Sequence, residues 1–128
     1  MYLLDTNACI DFLEGRSDPL ARRIEAHFGA LAISTVTAAE LLVGRKTSDD
    51  AKGDARKLDA FIASVEVLAF DLATARVYGD IIREIGVDRK SFDRLIGVQA
   101  VALGLILVTR NSKHFADVPG LRVENWTV

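Results

Sequence analysis

Three carboxylates stand at corresponding places in this 128-residue chain and are its best candidates for chemistry. Asp5 directly follows a short apolar run, Glu40 lies early in a predicted helix, and Asp93 lies in the first turn of another. Each of these positions comes after, or leads into, a predicted buried strand. In an open parallel sheet, ligands bind in the crevice beyond the carboxyl ends of the strands. If strands one, two and four lie side by side, the three acids therefore meet in one crevice.

Acids gathered in this way indicate a bound cation. Three carboxylates repel one another by about 1 kcal/mol per pair even when hydrated, and by more when they are partly buried. A ligand set made only of oxygens, without Cys or His, selects Mg²⁺ or Mn²⁺. Such ions, often in pairs, activate water and stabilise the leaving oxygen in phosphodiester hydrolysis. The spacing of the acids thus supports, as a hypothesis, a metal-dependent phosphodiesterase.

Each acid also has an ordinary structural explanation. Asp5 suits the N-cap of a helix that begins at residue 6 or 7. Thr37 and Glu40 have the spacing of a capping box, in which Glu40 reaches back to the amide of Thr37. Asp93 follows Ser91, a candidate N-cap, and is favoured by the positive end of a helix dipole. Taken singly, each acid leaves the structural and the functional interpretation open.

The elements that position the acids alternate between strand and helix. Apolar runs predict strands at residues 2–4, 31–34, 65–70, 105–109 and 121–123. Helical spacing of apolar residues predicts helices at residues 6–14, 20–28, 37–44, 58–65, 72–85 and 91–103. The polar residues 45–54 are predicted to form an exposed connection or a frayed helical turn. This alternation is typical of an α/β fold, with helices on both faces of a central, mostly parallel sheet of four to five strands.

The bulk composition fits one compact domain over residues 1–128. Half of the residues are hydrophobic, 27% are charged and the mean hydropathy is +0.21, which argues against disorder. The longest nearly apolar run, residues 98–108, is too short to cross a bilayer. The single cysteine, Cys9, is expected to be a packed thiol in a reducing cytoplasm. A net charge of −2 neither indicates nor excludes a nucleic-acid binder, because a local basic patch is what matters.

Several motifs of the chain resemble those of the PIN-domain ribonucleases, in particular the VapC toxins of bacterial toxin–antitoxin pairs. The resemblance rests on residues 3–7 (LLDTN), 34–41 (STVTAAEL), 92–100 (FDRLIGVQA), 107–115 (LVTRN and HF) and 119–126 (PGLRVENW). These motifs occur in the order of the family and span essentially the whole chain. The resemblance is therefore more specific than a single short pattern.

The resemblance implies a PIN-like α/β/α sandwich and assigns a role to each candidate residue. Asp5, Glu40 and Asp93 are expected to form the catalytic, metal-binding acidic centre. Thr6 is expected to orient Asp5 or a metal-bound water. Asn111 corresponds to a fourth polar position of the site, where many PIN domains have aspartate. Because Asn111 is neutral, the chain departs from a strict two-metal pattern.

The resemblance further implies a Mg²⁺- or Mn²⁺-dependent endoribonuclease that acts in the cytoplasm as the toxin of a toxin–antitoxin pair. The expected partners are an RNA substrate, a cognate antitoxin and a second copy of the chain, without a membrane. RNA has to approach an acidic crevice, so nearby cations are needed to attract it. We predict RNA contacts at Arg94 and Arg110, chosen from the cations that flank the motifs: Arg45, Lys46, Arg89, Lys90, Arg94, Arg110 and Lys113.

Two other functional classes compete with this interpretation. A phospho-accepting receiver domain of signalling proteins shares the length, the alternation and a clustered acidic Mg²⁺ site. Such domains normally place two acids after strand one and an acceptor aspartate after strand three. Here only Asp5 follows strand one, and Asp71 is predicted to cap a helix. The second alternative is a PIN-like domain that binds RNA or a partner without cutting, for which Asn111 is the only indication.

Overall fold

The computed structural model describes residues 1–44, 51–87 and 92–128, and it confirms the α/β fold. Five strands lie within these residues: β1 (Tyr2–Leu4), β2 (Leu31–Ser34), β3 (Glu66–Leu68), β4 (Ile106–Val108) and β5 (Arg122–Glu124). The described α-helices are α1 (Thr6–Leu13), α2 (Asp18–Ala26), α3 (Thr35–Gly44), α4 (Ala51–Ser64), α5 (Leu72–Ile85) and α6 (Asp93–Leu103). A short 3-10 helix, Ser112–Phe115, follows β4.

The five strands form one parallel sheet in the order β3-β2-β1-β4-β5. β1 is the central strand, since Leu3 pairs with Ala32 of β2 on one side and with Leu107 of β4 on the other. The predicted neighbourhood of strands one, two and four is therefore confirmed. Because the strands are parallel, the residues that follow β1, β2 and β4 emerge at the same edge of the sheet.

The central strand separates two apolar cores, because successive side chains of a strand point to opposite faces of a sheet. Leu4 belongs to a core that also contains Ile24 of α2. Leu3 belongs to a second core, with Ile96 of α6 and Phe115 of the 3-10 helix. Both leucines are fully buried. β1 is thus covered on both faces, as its uninterrupted apolar sequence predicts.

Some predicted element boundaries differ from the structure. α3 begins at Thr35 instead of residue 37, and the Ser34 hydroxyl accepts a hydrogen bond from the Val36 N–H over 3.0 Å at this end. α4 begins at Ala51, inside the predicted polar connection, and residues 45–50 lie outside the described residues. β3 has three residues instead of six. The predicted cap Ser91 also lies outside the described residues.

Two local predictions are confirmed. Asp71 caps α5, because its Oδ1 accepts a hydrogen bond from the Thr74 N–H over 2.9 Å. Cys9 is fully buried, and burial raises the pKa of its thiol well above the ordinary value. No helix within the described stretches combines the length and the apolarity that a bilayer crossing requires.

Gly104 and Gly79 are a matched pair for testing helix energetics. Gly104 ends α6 with a φ of 67°, a left-handed conformation that favours glycine, whereas Gly79 lies inside α5. A Cβ added at either position meets no atom within 4 Å. We expect Gly104→Ala to lower the free energy of unfolding by about 1 kcal/mol because of backbone strain. Gly79→Ala should raise it by about 0.5–1 kcal/mol through helix propensity.

Urea denaturation of the two variants and of the unchanged protein measures the sign of each change in the free energy of unfolding. Equal changes for both variants would contradict the different backbone conformations of these glycines.

Candidate active site

Asp5 lies at the carboxyl end of β1 and is fixed there by hydrogen bonds. Its N–H donates to the Val108 carbonyl of β4 over 3.0 Å, and its Oδ1 accepts from the Ala8 N–H over 2.7 Å, so Asp5 caps α1. The residue is only 2% exposed. Burial raises the pKa of Asp5 to about 6, and hydrogen bonds from the Thr109 side chain and the Ala8 amide oppose this shift only in part. Asp5 is therefore a helix cap that carries a buried, destabilised charge.

Asp93 is the second acid at this edge of the sheet. It is the first residue of α6, where the positive end of the helix dipole favours a negative charge. The charge of Asp93 contributes to the raised pKa of Asp5, so the two carboxylates lie close enough to repel each other. The Oδ2 atom of Asp93 also lies 3.2 Å from Nδ1 of His114. The structure thus brings together the first and the third of the predicted acids.

His114 reaches Asp93 because the 3-10 helix packs closely against α6. A Cβ added at Gly97 of α6 would lie 3.0 Å from Cδ1 of Phe115, which is tighter than ordinary van der Waals contact. The missing side chain at Gly97 therefore allows this close approach, and Phe115 directly follows His114 in the chain.

Glu40 lies on α3, but its carboxylate is bound to α1. Its Oε1 accepts a hydrogen bond from the Thr6 hydroxyl over 2.7 Å, and the hydroxyls of Thr6 and Thr37 lie 3.2 Å apart. Because the Thr6 proton goes to Glu40, the buried Thr37 hydroxyl is available to donate to Thr6. The capping-box interpretation of Glu40 is therefore wrong. Its carboxylate points to Thr6, the residue next to Asp5, and the Thr6 hydroxyl contacts both Glu40 and Thr37.

The residues that follow β4 line the same edge of the sheet. Thr109 is buried; its N–H donates to the Glu124 carbonyl over 3.0 Å and its side chain hydrogen-bonds Asp5. The Thr109 hydroxyl also accepts from the Asn111 N–H over 3.0 Å. Asn111 is half-buried and occupies the N-cap position of the 3-10 helix, where its side chain makes no capping hydrogen bond. Asn111 is thus two residues away from a direct partner of Asp5.

The two predicted RNA contacts have different surroundings. Arg94 donates to the Gly86 carbonyl and to the Asp117 carboxylate, and its side chain is only 16% exposed. Arg110 donates from Nε to Oδ2 of Asp11 over 2.7 Å, and its side chain remains 42% exposed. The positive charge of Arg110 lowers the pKa of Asp5, so this arginine borders the acids. Of the wider cation set, Arg45, Lys46, Arg89 and Lys90 lie outside the described residues.

The donor atoms at this edge fit a hard cation held mainly by two carboxylates. Among residues 1–44, 51–87 and 92–128, no three His, Cys, Asp or Glu side chains are grouped so that they could hold a metal ion. Asp5 and Asp93 nevertheless offer the oxygens that Mg²⁺ or Mn²⁺ prefers. A cation would relieve both the buried charge of Asp5 and its repulsion by Asp93. Glu40, which already binds Thr6, suits a contact through water.

The structure adds three residues that were not predicted from the sequence. Thr109 and His114 contact the acids, and Asp11 binds Arg110. Thr109 could have been predicted to line the site, because it is a polar residue at the end of an apolar strand. Asp11 could have been predicted to bind a cation, since a charged residue that is buried in an apolar helical stretch needs a partner. His114 had no local signal, because its partner Asp93 is 21 residues away.

The chain is similar along its whole length to known proteins. A family model described as "PIN domain" matches residues 2–121. The "tRNA(fMet)-specific endonuclease VapC" of Shigella flexneri is 33% identical over 129 residues, which cover 98% of each chain. The DNA-bound VapBC structure from Salmonella typhimurium has a TM-score of 0.88 and 30% identity, and covers 98% of this chain and 97% of that one. A toxin–antitoxin complex from Klebsiella pneumoniae has a TM-score of 0.77 and 26% identity, with 98% and 97% covered.

The match over residues 2–121 defines the class of the protein, which is a PIN domain. Within that class the chain belongs to the VapC family of ribonuclease toxins, since its relatives of about the same length carry that name. The predicted resemblance is thereby confirmed. The receiver interpretation is excluded, and Asp71 is a helix cap, as predicted.

Asp5 and Asp71 are a matched pair of helix N-caps with opposite pKa shifts. Hydrogen bonds from Thr74 lower the pKa of the exposed Asp71, whereas burial raises that of Asp5 to about 6. A raised pKa means that the folded protein binds the proton more tightly than the unfolded chain, so Asp5 makes the metal-free protein less stable as the pH rises from about 4 to about 6. A lowered pKa has the opposite sign, so Asp71 adds stability that is lost on acidification.

In EDTA at about pH 7.5 we expect Asp5→Asn to raise the free energy of unfolding by up to about 3 kcal/mol, because asparagine keeps the cap and removes the buried charge. Asp71→Asn should lower it slightly. Urea denaturation between about pH 4 and pH 8 measures both effects, and the advantage of Asp5→Asn should shrink toward the acid end. A less stable Asp5→Asn protein at the higher pH would contradict a destabilised Asp5 charge.

Proposed function

We propose that residues 1–128 form one catalytic domain, a Mg²⁺- or Mn²⁺-dependent endoribonuclease that acts in the cytoplasm as the toxin of a toxin–antitoxin pair. The observation that carries this proposal is the buried Asp5 carboxylate beside Asp93, in a chain of the VapC family. A buried charge next to a second acid destabilises the folded protein, and a bound cation accounts for its presence.

In the proposed site, Asp5 and Asp93 are the ion ligands and Glu40 binds a water beside the ion. A bound Mg²⁺ or Mn²⁺ would lower the pKa of water and stabilise the charge that develops during phosphodiester hydrolysis. Thr6 keeps the Glu40 carboxylate oriented through its 2.7 Å hydrogen bond. Asn111 contributes a neutral carbonyl oxygen from the segment after β4. Because Asn111 adds no charge, we propose a single ion at this site.

The proposed substrate is RNA, which Arg110 attracts to the acidic edge. The Arg110 side chain is 42% exposed, and its charge acts on Asp5. A cation at this position offsets the repulsion between the acids and an approaching phosphate. Arg94 already binds Gly86 and Asp117, so its main role in the proposal is to brace the start of α6, with any RNA contact secondary.

The direct test is cleavage of RNA by the purified protein. The Shigella flexneri relative is named a tRNA(fMet)-specific endonuclease, so initiator tRNA is the first substrate and an unstructured RNA the second. We expect cleavage with Mg²⁺ or Mn²⁺ and none in EDTA. Asp5→Asn and Asp93→Asn should each reduce the rate by at least about a hundredfold, because each removes a proposed ion ligand. Asp71→Asn, which changes the exposed cap of α5, is the control and should retain full activity.

Ion binding has a readout that does not depend on cleavage. Mn²⁺ should raise the Tm of the unchanged protein, because a ligand that binds only the folded state stabilises it. It should raise the Tm of Asp5→Asn little or not at all. Cleavage that persists in EDTA and in Asp5→Asn would overturn the metal mechanism. Ion binding without cleavage of any RNA would instead favour the alternative of a PIN domain that binds RNA without cutting.

The toxin role implies two protein partners, a cognate antitoxin and a second copy of the chain. The relative from Klebsiella pneumoniae was solved as a toxin–antitoxin complex, which supports the first of these. We expect the protein, when expressed without its antitoxin, to arrest bacterial growth, and we expect the purified protein to have twice the 14.0 kDa mass of one chain. Asp93→Asn should permit growth. Equal growth with both proteins at matched expression levels would contradict the toxin role.

A further inference from the structure

We propose that Asp11 is a positioning residue, which holds Arg110 at the edge of the acidic site so that the guanidinium binds an RNA phosphate. This inference rests on the proposed ribonuclease function and extends it to a residue outside the acidic set. Asp11 belongs to α1, the helix that Asp5 caps. Its side chain is only 5% exposed.

Two arginines share the Asp11 carboxylate, and Arg110 is the closer one. Nε of Arg110 lies 2.7 Å from Oδ2, which is the length of a charge-assisted hydrogen bond. Nη1 of Arg16 lies 3.4 Å from Oδ1, beyond the usual hydrogen-bond range, and Arg16 also pairs with Glu14. Asp11 therefore fixes Arg110 more firmly than it fixes Arg16.

The position of Arg110 makes this bond relevant to the acidic site. Arg110 directly follows Thr109, whose side chain hydrogen-bonds Asp5. The bond to Asp11 uses Nε, and 42% of the Arg110 side chain remains exposed. Within the described residues, Nε is the only Arg110 nitrogen that has a partner, so the two terminal nitrogens of the guanidinium can bind a phosphate as a fork.

A buried, ion-paired Asp11 is not needed to stabilise α1, which points to a role beyond supporting this helix. A buried ion pair is often no better for stability than well-packed apolar residues of similar size. The neighbours of Asp11 in sequence, Ile10 and Phe12, are both apolar. An apolar residue at position 11 would suit such a helix, but it would leave Arg110 without an anchor.

A positioning role and a simple charge effect predict opposite results for Asp11→Asn. Removal of a negative charge near the RNA path should by itself strengthen RNA binding, because fewer negative charges then repel the phosphates. Loss of the anchor instead releases a long side chain, which has to be ordered again on binding, so RNA binding should weaken. The sign of the change in Kd therefore separates the two explanations.

The test measures the Kd for a fluorescent RNA by anisotropy, with metal-free protein in EDTA so that the RNA stays intact. We expect Arg110→Gln to raise the Kd about tenfold and Asp11→Asn about three- to tenfold. The double variant should bind no more weakly than Arg110→Gln alone, because Asp11 acts through Arg110. Glu14→Gln is the matched control, since it also removes a carboxylate beside Arg16, and it should leave the Kd unchanged or lower it.

A second readout comes from cleavage with Mg²⁺ present. Asp11→Asn should raise the KM for RNA with little change in kcat, because Arg110 is proposed to bind substrate and not the ion. A fall in kcat at constant KM would overturn the proposed role.

Two results of the binding measurement would also overturn the positioning role of Asp11. The first is RNA binding by Asp11→Asn that is as tight as, or tighter than, that of the unchanged protein while Arg110→Gln binds weakly. The second is additive weakening in the double variant, because Asp11 would then act independently of Arg110.

Arg110→Lys keeps the test decisive if Asp11→Asn does not fold. Lysine retains the charge but lacks the fork that Asp11 orients, so the Kd of Arg110→Lys for RNA should rise. An unchanged Kd would overturn the proposed role of Asp11. Unchanged protein that neither binds nor cleaves RNA would overturn the ribonuclease function together with this inference. RNA cleavage that is insensitive to Asp11 and Arg110 would overturn the inference alone.

Discussion

A carboxylate kept out of water at the end of the central strand constrains the arrangement of the elements around it. Asp5 receives the N–H of Ala8 from α1 and the hydrogen bond of the Thr109 side chain from the segment after β4. The Ala8 bond is a local helix cap, whereas the Thr109 bond depends on β1 and β4 running side by side in the same direction, with the Asp5 amide bonded to Val108. These contacts offset only part of the cost of burial, so the charge remains available to a cation.

The two faces of β1 support the helices that bring the other acids. Leu4 faces the core that contains Leu41, the residue next to Glu40 on α3. Leu3 faces the core that contains Ile96, one turn after Asp93 on α6. Alternation along one short strand therefore supports both acidic helices, since Leu41 of α3 packs in the Leu4 core and Ile96 of α6 packs in the Leu3 core.

The sequence was sufficient for features that depend on local chemistry or on a continuous apolar pattern. The buried strands β1 and β2, the cap at Asp71 and the helix end at Gly104 are of this kind. The failure at Glu40 has a physical reason, because a tertiary hydrogen bond from Thr6 replaces the local bond to the Thr37 amide.

Other features depend on contacts between distant parts of the chain, which a single sequence does not reveal. Asp11 and Arg110 are 99 residues apart, so nothing in the local sequence of either one identifies the other. β3 is shorter than its apolar pattern predicts, and it lies at the edge of the sheet, where only one neighbouring strand supports it. The three acids could be named from motif and spacing, but the hydrogen bond that orients Glu40 could not.

The central place of β1 also affects how the chain folds as a ribosome makes it. Leu3 of β1 pairs with Leu107 of β4, so the first strand to be synthesised cannot pair with β4 until 104 more residues have been added. Until then one edge of β1 is open, and Asp5 lacks the Val108 carbonyl and the Thr109 side chain. Pairing between residues so far apart in sequence is slow to form, because a long loop has to close first. Asp5 therefore gains its full set of hydrogen-bond partners only after β4 has been synthesised, so the acidic edge of the sheet is completed late in synthesis.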